Sequence, residues 1–511
     1  MSLLLRLLIA LAALAIAPLA LAEPADIAAA SRGVVRVVLV SKDGESIQYV
    51  GHGSGFAVSP TLVVTNAHVV AEARDSDTML IGVVPSEGAS GYLAKVIAYS
   101  PRNDLALLRL IDKGAIPALT LFPGAVEDGA EVYAVGYPGN VDLAQGLSLA
   151  EIVEPQSAVK TRGYISSGRS SRQFETLLHT APVGSGNSGG PLLDSCGRVI
   201  GVNSFGTLSE GADSEFYFAV SLREVTGFLR EAGVTPHIAG MPCRSLAELD
   251  RADSQRLASE QALSDAQARR QGAASDKARA DAQRRAELEV ISERENGMAL
   301  AALLLVAALA AGGCALVFEQ RGDRRKALIV GGAGIALLIA AIVTWLLRPP
   351  LDTIDERVAA SLSADSAQPA ATGPDIAGAG AMVCVFDPER SRATVSEVAD
   401  VELEWSVGGC VNGRTQYGLA NDGWSRVLAP NDEATVSVNR YDPVTRSYQV
   451  ERFLLGLDAM TAARTARSAV KAPSCGADDA AAREFGAGLQ AIKALLPPKP
   501  NERLVYKCQP S

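Results

Sequence analysis

Histidine, aromatic residues and clustered basic residues are all scarce in this sequence. Only 4 of the 511 residues are His and 3 are Trp, and Phe, Trp and Tyr together make up 5%. With so few imidazoles, and with no Cys-x-x-Cys or Cys/His pair at zinc-ligand spacing, neither a metal site nor another cofactor is expected. The net charge is −10 and no basic cluster stands out. Phosphate backbones are bound by clustered Lys and Arg, so nucleic acid is excluded as a partner class.

What is present is uneven along the chain. At roughly 100 to 200 residues per domain the length predicts two to four units. Arg6, the apolar run Leu7 to Ala17, Pro18 and the tripeptide Ala20-Leu21-Ala22 lead into Glu23-Pro24. This is the layout of an export signal over residues 1–22, with cleavage expected after Ala22; an uncleaved anchor is the competing reading, and either one exports the domain after it. From Ser31 to about Leu229 short β-prone runs alternate with Gly and Pro: Gly33 to Val40, Gly53 to Val58, Leu62 to Thr65, Ala94 to Tyr99, Asp104 to Leu110, Glu131 to Gly136 and Arg198 to Ser204. Such spacing predicts an all-β barrel or sandwich over residues 23–235. A helix closes it from Ser221 to Ala232, where Leu222, Val225, Phe228 and Leu229 recur at helical spacing before Gly233.

Residues 244–296 are different. They contain Ala, Arg, Asp, Glu and Gln with few β-branched residues, which predicts a charged helical stalk. Its patchy seam of Leu246, Leu249, Leu257 and Leu263 leaves self-association through the stalk open, against a solvated single helix. Two uncharged stretches follow, 298–318 and 327–347, each long enough to cross a bilayer that needs roughly 20 apolar residues. The loop between them, 319–326, carries Arg321, Arg324, Arg325 and Lys326, whereas Glu293, Glu295, Asp352, Asp355 and Glu356 flank the outer ends. The positive-inside rule therefore puts that loop in the cytoplasm, and both larger parts on the exported side of an inner membrane, facing the periplasm or exterior. Residues 348–380, rich in Ala, Ser, Asp, Pro and Gly, are expected to be a flexible linker. Residues 381–511 predict a small α+β domain, with strands at Val383 to Phe386, Val401 to Val407, Ala434 to Asn439 and Tyr448 to Phe453 and a helix from Ala480 to Leu495.

The cysteines fit that topology. Cys196, Cys243, Cys384, Cys410, Cys475 and Cys508 all fall in the exported parts and are disulfide candidates, while Cys314 falls in the first apolar stretch. The last four allow three connectivities.

Three short motifs carry chemistry. Gly186-Asn187-Ser188-Gly189-Gly190-Pro191 sets a serine among glycines, where a carbonyl can approach and backbone N–H groups can converge. Ser188 is the candidate nucleophile, with the N–H groups of Gly186 and Ser188 as oxyanion donors. His68, in Thr65-Asn66-Ala67-His68-Val69-Val70, is the candidate base, because His52, His179 and His237 lack comparable surroundings. Asp104, in Asn103-Asp104-Leu105-Ala106-Leu107-Leu108-Arg109-Leu110, is the candidate orienting carboxylate. Taken alone, a lone imidazole after a strand or an aspartate in a turn is ordinary structure.

Together, and with Gly53-Ser54-Gly55-Phe56 ahead of them, these motifs resemble the trypsin-like peptidases of chymotrypsin fold, most closely the bacterial Deg/HtrA branch. The resemblance covers roughly Ala28 to Ala232. It implies two six-stranded antiparallel β-barrels with His68, Asp104 and Ser188 as a triad in the cleft between them, acting on polypeptide substrates. It implies too that Ser204-Phe205-Gly206 pairs with an extended substrate backbone. Pro182 stands where basic-specific relatives keep an aspartate, so a small or medium apolar side chain is expected before the cut. No PDZ-like segment follows, which separates this chain from the family's usual assembly. The rival function is a catalytically silent peptide-binding or envelope-stress sensor that keeps the fold.

Overall fold

The computed structural model describes residues 24–43, 46–76, 78–170, 174–207, 215–365 and 379–511. The expected export signal lies outside them, as does most of the second half of the expected linker.

Two closed barrels occupy the N-terminal part. The first contains β1 (Val34–Asp43), β2 (Ser46–Ser59), β3 (Leu62–Thr65), β4 (Met79–Pro85), β5 (Tyr92–Ser100) and β6 (Leu105–Leu110), in the spatial order β1-β2-β3-β6-β5-β4. The second contains β7 (Glu131–Gly136), β8 (Val159–Ser170), β9 (Glu175–His179), β10 (Pro191–Asp194), β11 (Val199–Gly206) and β12 (Tyr217–Ser221), in the order β10-β11-β12-β9-β8-β7. Closure leaves no open edge, and each barrel is filled by its inward side chains. Val37, Val63, Leu108 and Ile116 fill the first, and Val132, Ile165, Leu192 and Ile200 the second. Phe56, Leu107, Val135, Val202, Phe228 and Leu229 belong to a cluster that runs between the barrels and takes in the closing helix, Leu222–Glu231.

The C-terminal part is a nine-stranded antiparallel sheet. Its strands are β13 (Gly380–Phe386), β14 (Val401–Ser406), β15 (Cys410–Val411), β16 (Thr415–Gln416), β17 (Gly418–Ala420), β18 (Gly423–Leu428), β19 (Thr435–Asp442), β20 (Ser447–Leu454) and β21 (Glu502–Pro510), ordered β16-β15-β14-β13-β21-β20-β19-β18-β17. Helices Leu457–Ala469 and Asp479–Lys493 supply Met460, Ala463, Phe485 and Leu489 to a core with Val436, Val438 and Phe453. A second core holds Met382, Trp405, Tyr441 and Tyr506. Of the three connectivities open in the sequence, the chain adopts Cys384–Cys508 and Cys410–Cys475.

The barrels and this sheet belong to one compact unit, Met1–Asp253 with Asp375–Ser511. Arg392, 2% exposed, joins them. Its Nη2 donates to Asp26 Oδ2 at 2.5 Å, its Nε to the carbonyl of Arg244 at 2.7 Å and its Nη1 to the carbonyl of Asn501. The Asn501 amide in turn donates to Asp26 Oδ1 at 2.8 Å. Asp26 lies on the first helix, Pro24–Ser31, and the Arg392 guanidinium also lies 3.2 Å from Cys196 Sγ, in the disulfide to Cys243.

The second unit, Ser254–Pro374, is helical in its described residues. The stalk and first apolar stretch form one uninterrupted helix, Leu246–Gln320, followed by Arg324–Leu346; both contain windows long and apolar enough to cross a membrane. The expected linker contains a further helix, Thr353–Asp365. Asp355 and Glu356 in its first turn favour it through the helix dipole, and Arg357 pairs with Glu293 at 2.8 Å.

Candidate active site

Strand register brings the three motifs to the barrel ends. Thr65 of β3 pairs with Ala106 of β6, so His68, three residues past Thr65, and Asp104, two before Ala106, leave the same end of the first barrel. Pro191 of β10 pairs with Val202 of β11, which sets Ser188 beside Ser204 in the second.

Asp104 grips the imidazole. His68 Nδ1 lies 3.0 Å from Oδ1 and 2.9 Å from Oδ2, and the His68 backbone N–H donates to Oδ1 at 3.1 Å. Asp104 holds a left-handed φ of 52°, and its own carbonyl accepts from Asn66 Nδ2 at 2.8 Å. Burial alone would push the Asp104 carboxyl up, but the bonds from His68 and from the Ser204 hydroxyl outweigh it and hold the group below the ordinary carboxylate range. With Nδ1 facing the carboxylate, the proton sits there and leaves Nε2 as a free acceptor, the tautomer a general base requires. The His68 side chain is 53% exposed, open to an incoming substrate.

Ser204 connects the two barrels' contributions. A bulge in β11 between Asn203 and Phe205 takes Ser204 out of the ladder with β12. Its hydroxyl donates to Asp104 Oδ2 at 2.5 Å, and its carbonyl accepts from Ser188 Oγ at 3.0 Å. The nucleophile candidate and the carboxylate candidate are thus bonded to opposite ends of one residue.

Ser54, in the Gly-Ser-Gly stretch of β2, pins the serine loop. Its N–H donates to the Ser188 carbonyl at 2.8 Å and its hydroxyl to the Gly186 carbonyl at 2.7 Å, while the Tyr137 N–H donates to that hydroxyl at 2.9 Å. Gly186 has φ 98° and Gly189 φ 89°; a Cβ at Gly189 would lie 2.2 Å from the Ser54 carbonyl, so glycine is required there on both counts.

Residues 53–202 match the family model described as a trypsin-like peptidase domain. The double barrel is a trypsin-like peptidase domain of the Deg/HtrA branch. The domain is 33% identical over 212 residues to a serine protease of Mycobacterium tuberculosis, covering 41% of this chain and 49% of the relative. It is 32% identical over 193 residues to the magnetosome formation protease MamE of Paramagnetospirillum magneticum, covering 36% and 24%. It is 35% identical over 160 residues to a probable periplasmic serine endoprotease, DegP-like, of Pseudomonas fluorescens, covering 30% and 29%. The chain spans about half or less of the length of these relatives.

Of the pocket candidates, Ser204 is the one bonded to Ser188, and Phe205 and Gly206 follow it along β11. Phe205 is 43% exposed and stacks on Phe218 at 4.8 Å between ring centroids, and Gly206 pairs with Tyr217. Pro182 is exposed in the loop before β10, its carbonyl accepting from Thr161 Oγ1 at 2.6 Å. Sequence reasoning gave Ser204 a backbone role only and missed its hydroxyl on Asp104. It also passed over Ser54 as a pin and His52, whose position directly ahead of the Gly53-Ser54-Gly55 motif was the available signal.

Proposed function

We propose that this chain is a membrane-anchored serine endopeptidase that cuts exported polypeptides in unfolded or loop segments. The observation that supports the reading is the bonded series from the His68 imidazole through Asp104 and Ser204 to the Ser188 hydroxyl, which links one serine, one oriented imidazole and one carboxylate.

The chemistry follows from that arrangement. An extended substrate adds a strand at Ser204-Phe205-Gly206, and its N–H takes the Ser204 carbonyl that otherwise holds the Ser188 hydroxyl. Released, Ser188 Oγ turns to His68 Nε2, gives up its proton there and bonds to the substrate carbonyl carbon. Asp104 stabilises the imidazolium, and the Gly186 and Ser188 N–H groups receive the oxyanion. The C–N bond then breaks, and His68 returns its proton to the leaving amine. Water, deprotonated by His68, hydrolyses the acyl-enzyme. Oxyanion donors of this kind contribute roughly 100- to 1,000-fold each.

The Asp26–Arg392 pair supports the topology. Because Asp26 precedes the two apolar helices and Arg392 follows them, their buried contact requires both on one side of a membrane, hence an even number of crossings between. Two spans with the basic loop 319–326 in the cytoplasm meet that requirement, and disulfides on both sides of the pair accord with an oxidising exterior.

Hydrolysis of a denatured protein by the full chain, with the cut sites mapped by mass spectrometry, tests this. Cuts after small or medium apolar residues, absent in Ser188→Ala, are expected. Cuts mostly after Arg or Lys would contradict the pocket assignment, and no cutting by either chain would favour the silent sensor.

A further inference from the structure

Against the loop that carries Ser188 lies a second imidazole, His52, with its side chain 7% exposed. Its Nε2 is 2.8 Å from the Tyr137 carbonyl and its Nδ1 2.5 Å from the Tyr49 hydroxyl. One neutral tautomer satisfies both contacts: Nε2–H donates to Tyr137 and Nδ1 accepts from Tyr49.

The ring fills the space that a side chain at Gly186 would need. A Cβ on Gly186 would come 2.7 Å from His52 Nε2 and 2.4 Å from the Tyr137 carbonyl, and one on Gly139 would come 3.4 Å from His52 Cε1. The Gly139 N–H donates to the Ser185 carbonyl at 2.8 Å. With that carbonyl committed, the trans peptide directs the Gly186 N–H to the opposite side, which fixes one of the two oxyanion donors. His52 therefore packs against both glycines of this latch and bonds to the residue that begins it, Tyr137.

A buried ion pair backs the ring. Asp142 Oδ2 lies 3.5 Å from His52 Nε2, Asp142 Oδ1 accepts from Arg36 Nη2 at 2.8 Å, and Arg36 Nη1 donates to the Ile152 carbonyl at 2.7 Å. The Arg36 guanidinium also stands 4.9 Å over the Tyr137 ring. Burial pushes the His52 imidazole below its ordinary pKa, toward the neutral form that the two contacts need, and the bond to Tyr137 opposes it only in part.

We propose that His52 is a positioning residue for the oxyanion-binding loop: it sets the Tyr137–Gly139 segment against Ser185–Gly186 so that the Gly186 N–H is aimed before substrate arrives. This rests on the peptidase reading. His52 itself touches no reacting atom, so its effect should fall on the transition state and not on substrate affinity.

The test compares wild type with His52→Leu, His52→Gln and Tyr49→Phe as full chains, measuring kcat, KM and binding of a peptidyl boronic acid, a tetrahedral mimic. His52→Leu is expected to lose about 10- to 100-fold in kcat with KM within about twofold, and to bind the boronate more weakly by the same factor. His52→Gln, whose amide can still donate to Tyr137, should recover most of the loss. Tyr49→Phe, which removes only the exposed partner, should lose a few-fold. Wild-type kcat in His52→Leu would overturn the proposal, as would a loss carried by KM with boronate binding untouched. Should His52→Leu fail to fold, full kcat in Tyr49→Phe would overturn it instead. A wild-type chain inert to both substrate and boronate would overturn the peptidase reading itself, whatever the variants do.

Discussion

The barrels and the C-terminal sheet each hold a carboxylate in several hydrogen bonds, and the two are treated in opposite ways. Glu502, fully buried at the start of β21, takes donors on every side: the N–H groups of Thr394, Val395 and Ser396 at 2.5, 2.6 and 2.9 Å on Oε1, and the Ser396 hydroxyl at 2.5 Å on Oε2. Its work is to lock the loop that presents Arg392. Asp104 instead sits at a barrel mouth with its side chain 18% exposed, bonded to an imidazole that is itself open to solvent. A saturated carboxylate makes a joint, whereas one bonded to a group that can still exchange a proton makes a site. Glycines reinforce the contrast, because the serine loop needs them for backbone approach and the Glu502 cradle contains none.

The contrast breaks most visibly in turnover. Ser188→Ala should lower kcat by about 10⁶-fold, leaving the fold and all three disulfides intact, as checked by peptide hydrolysis beside thermal unfolding. Asp104→Asn should cost about 10⁴-fold through the wrong imidazole tautomer, whereas Glu502→Gln should leave kcat within a few-fold. A large kcat loss in Glu502→Gln with unchanged stability would erase the distinction.

Stability sharpens it next. Arg392→Met takes the cation away from the buried Asp26, which keeps the Asn501 amide, and should cost about 3 to 5 kcal/mol in urea unfolding, and the double variant Asp26→Leu/Arg392→Met should recover much of that. A double variant as unstable as the single would mean that the pair is not the joint. The smallest expected effect belongs to His179, at the end of β9. Burial pushes its imidazole down to about 4. The unfolded chain takes up the proton near pH 6.5, so the stabilisation is full above that pH and is lost as pH falls toward 4, about 3 kcal/mol in all. His179→Leu should flatten that part of the stability–pH curve, measured by denaturant unfolding between pH 7.5 and 4.

The same contrast governs what could be found in the sequence. The triad candidates were legible because each lies in a short local motif whose glycines, polar residues and apolar run must be adjacent in the chain. Strands β1, β2, β3, β5, β6, β7 and β11 were legible for the same reason, as Val- and Leu-rich runs between turn residues. Strand β8, VKTRGYISSGRS, was not, because polar side chains and two glycines hide its alternation; nor was β10, PLLD, only four residues long. In the C-terminal domain the pairing of β13 with β21, the Cys384–Cys508 disulfide and the role of Arg392 depend on contacts over 100 residues apart in sequence. Composition also suggested a linker where Thr353–Asp365 is helical, since the acidic first turn and the Arg357–Glu293 pair are invisible to an average.

The most direct measurement is the site of covalent attack by a fluorophosphonate on the full chain, located by mass spectrometry of peptides. A single adduct on Ser188, lost in Ser188→Ala and strongly slowed in His68→Ala, is the predicted result. An unmodified Ser188 under conditions where the chain is folded, or an adduct that persists in Ser188→Ala, would contradict the central claim.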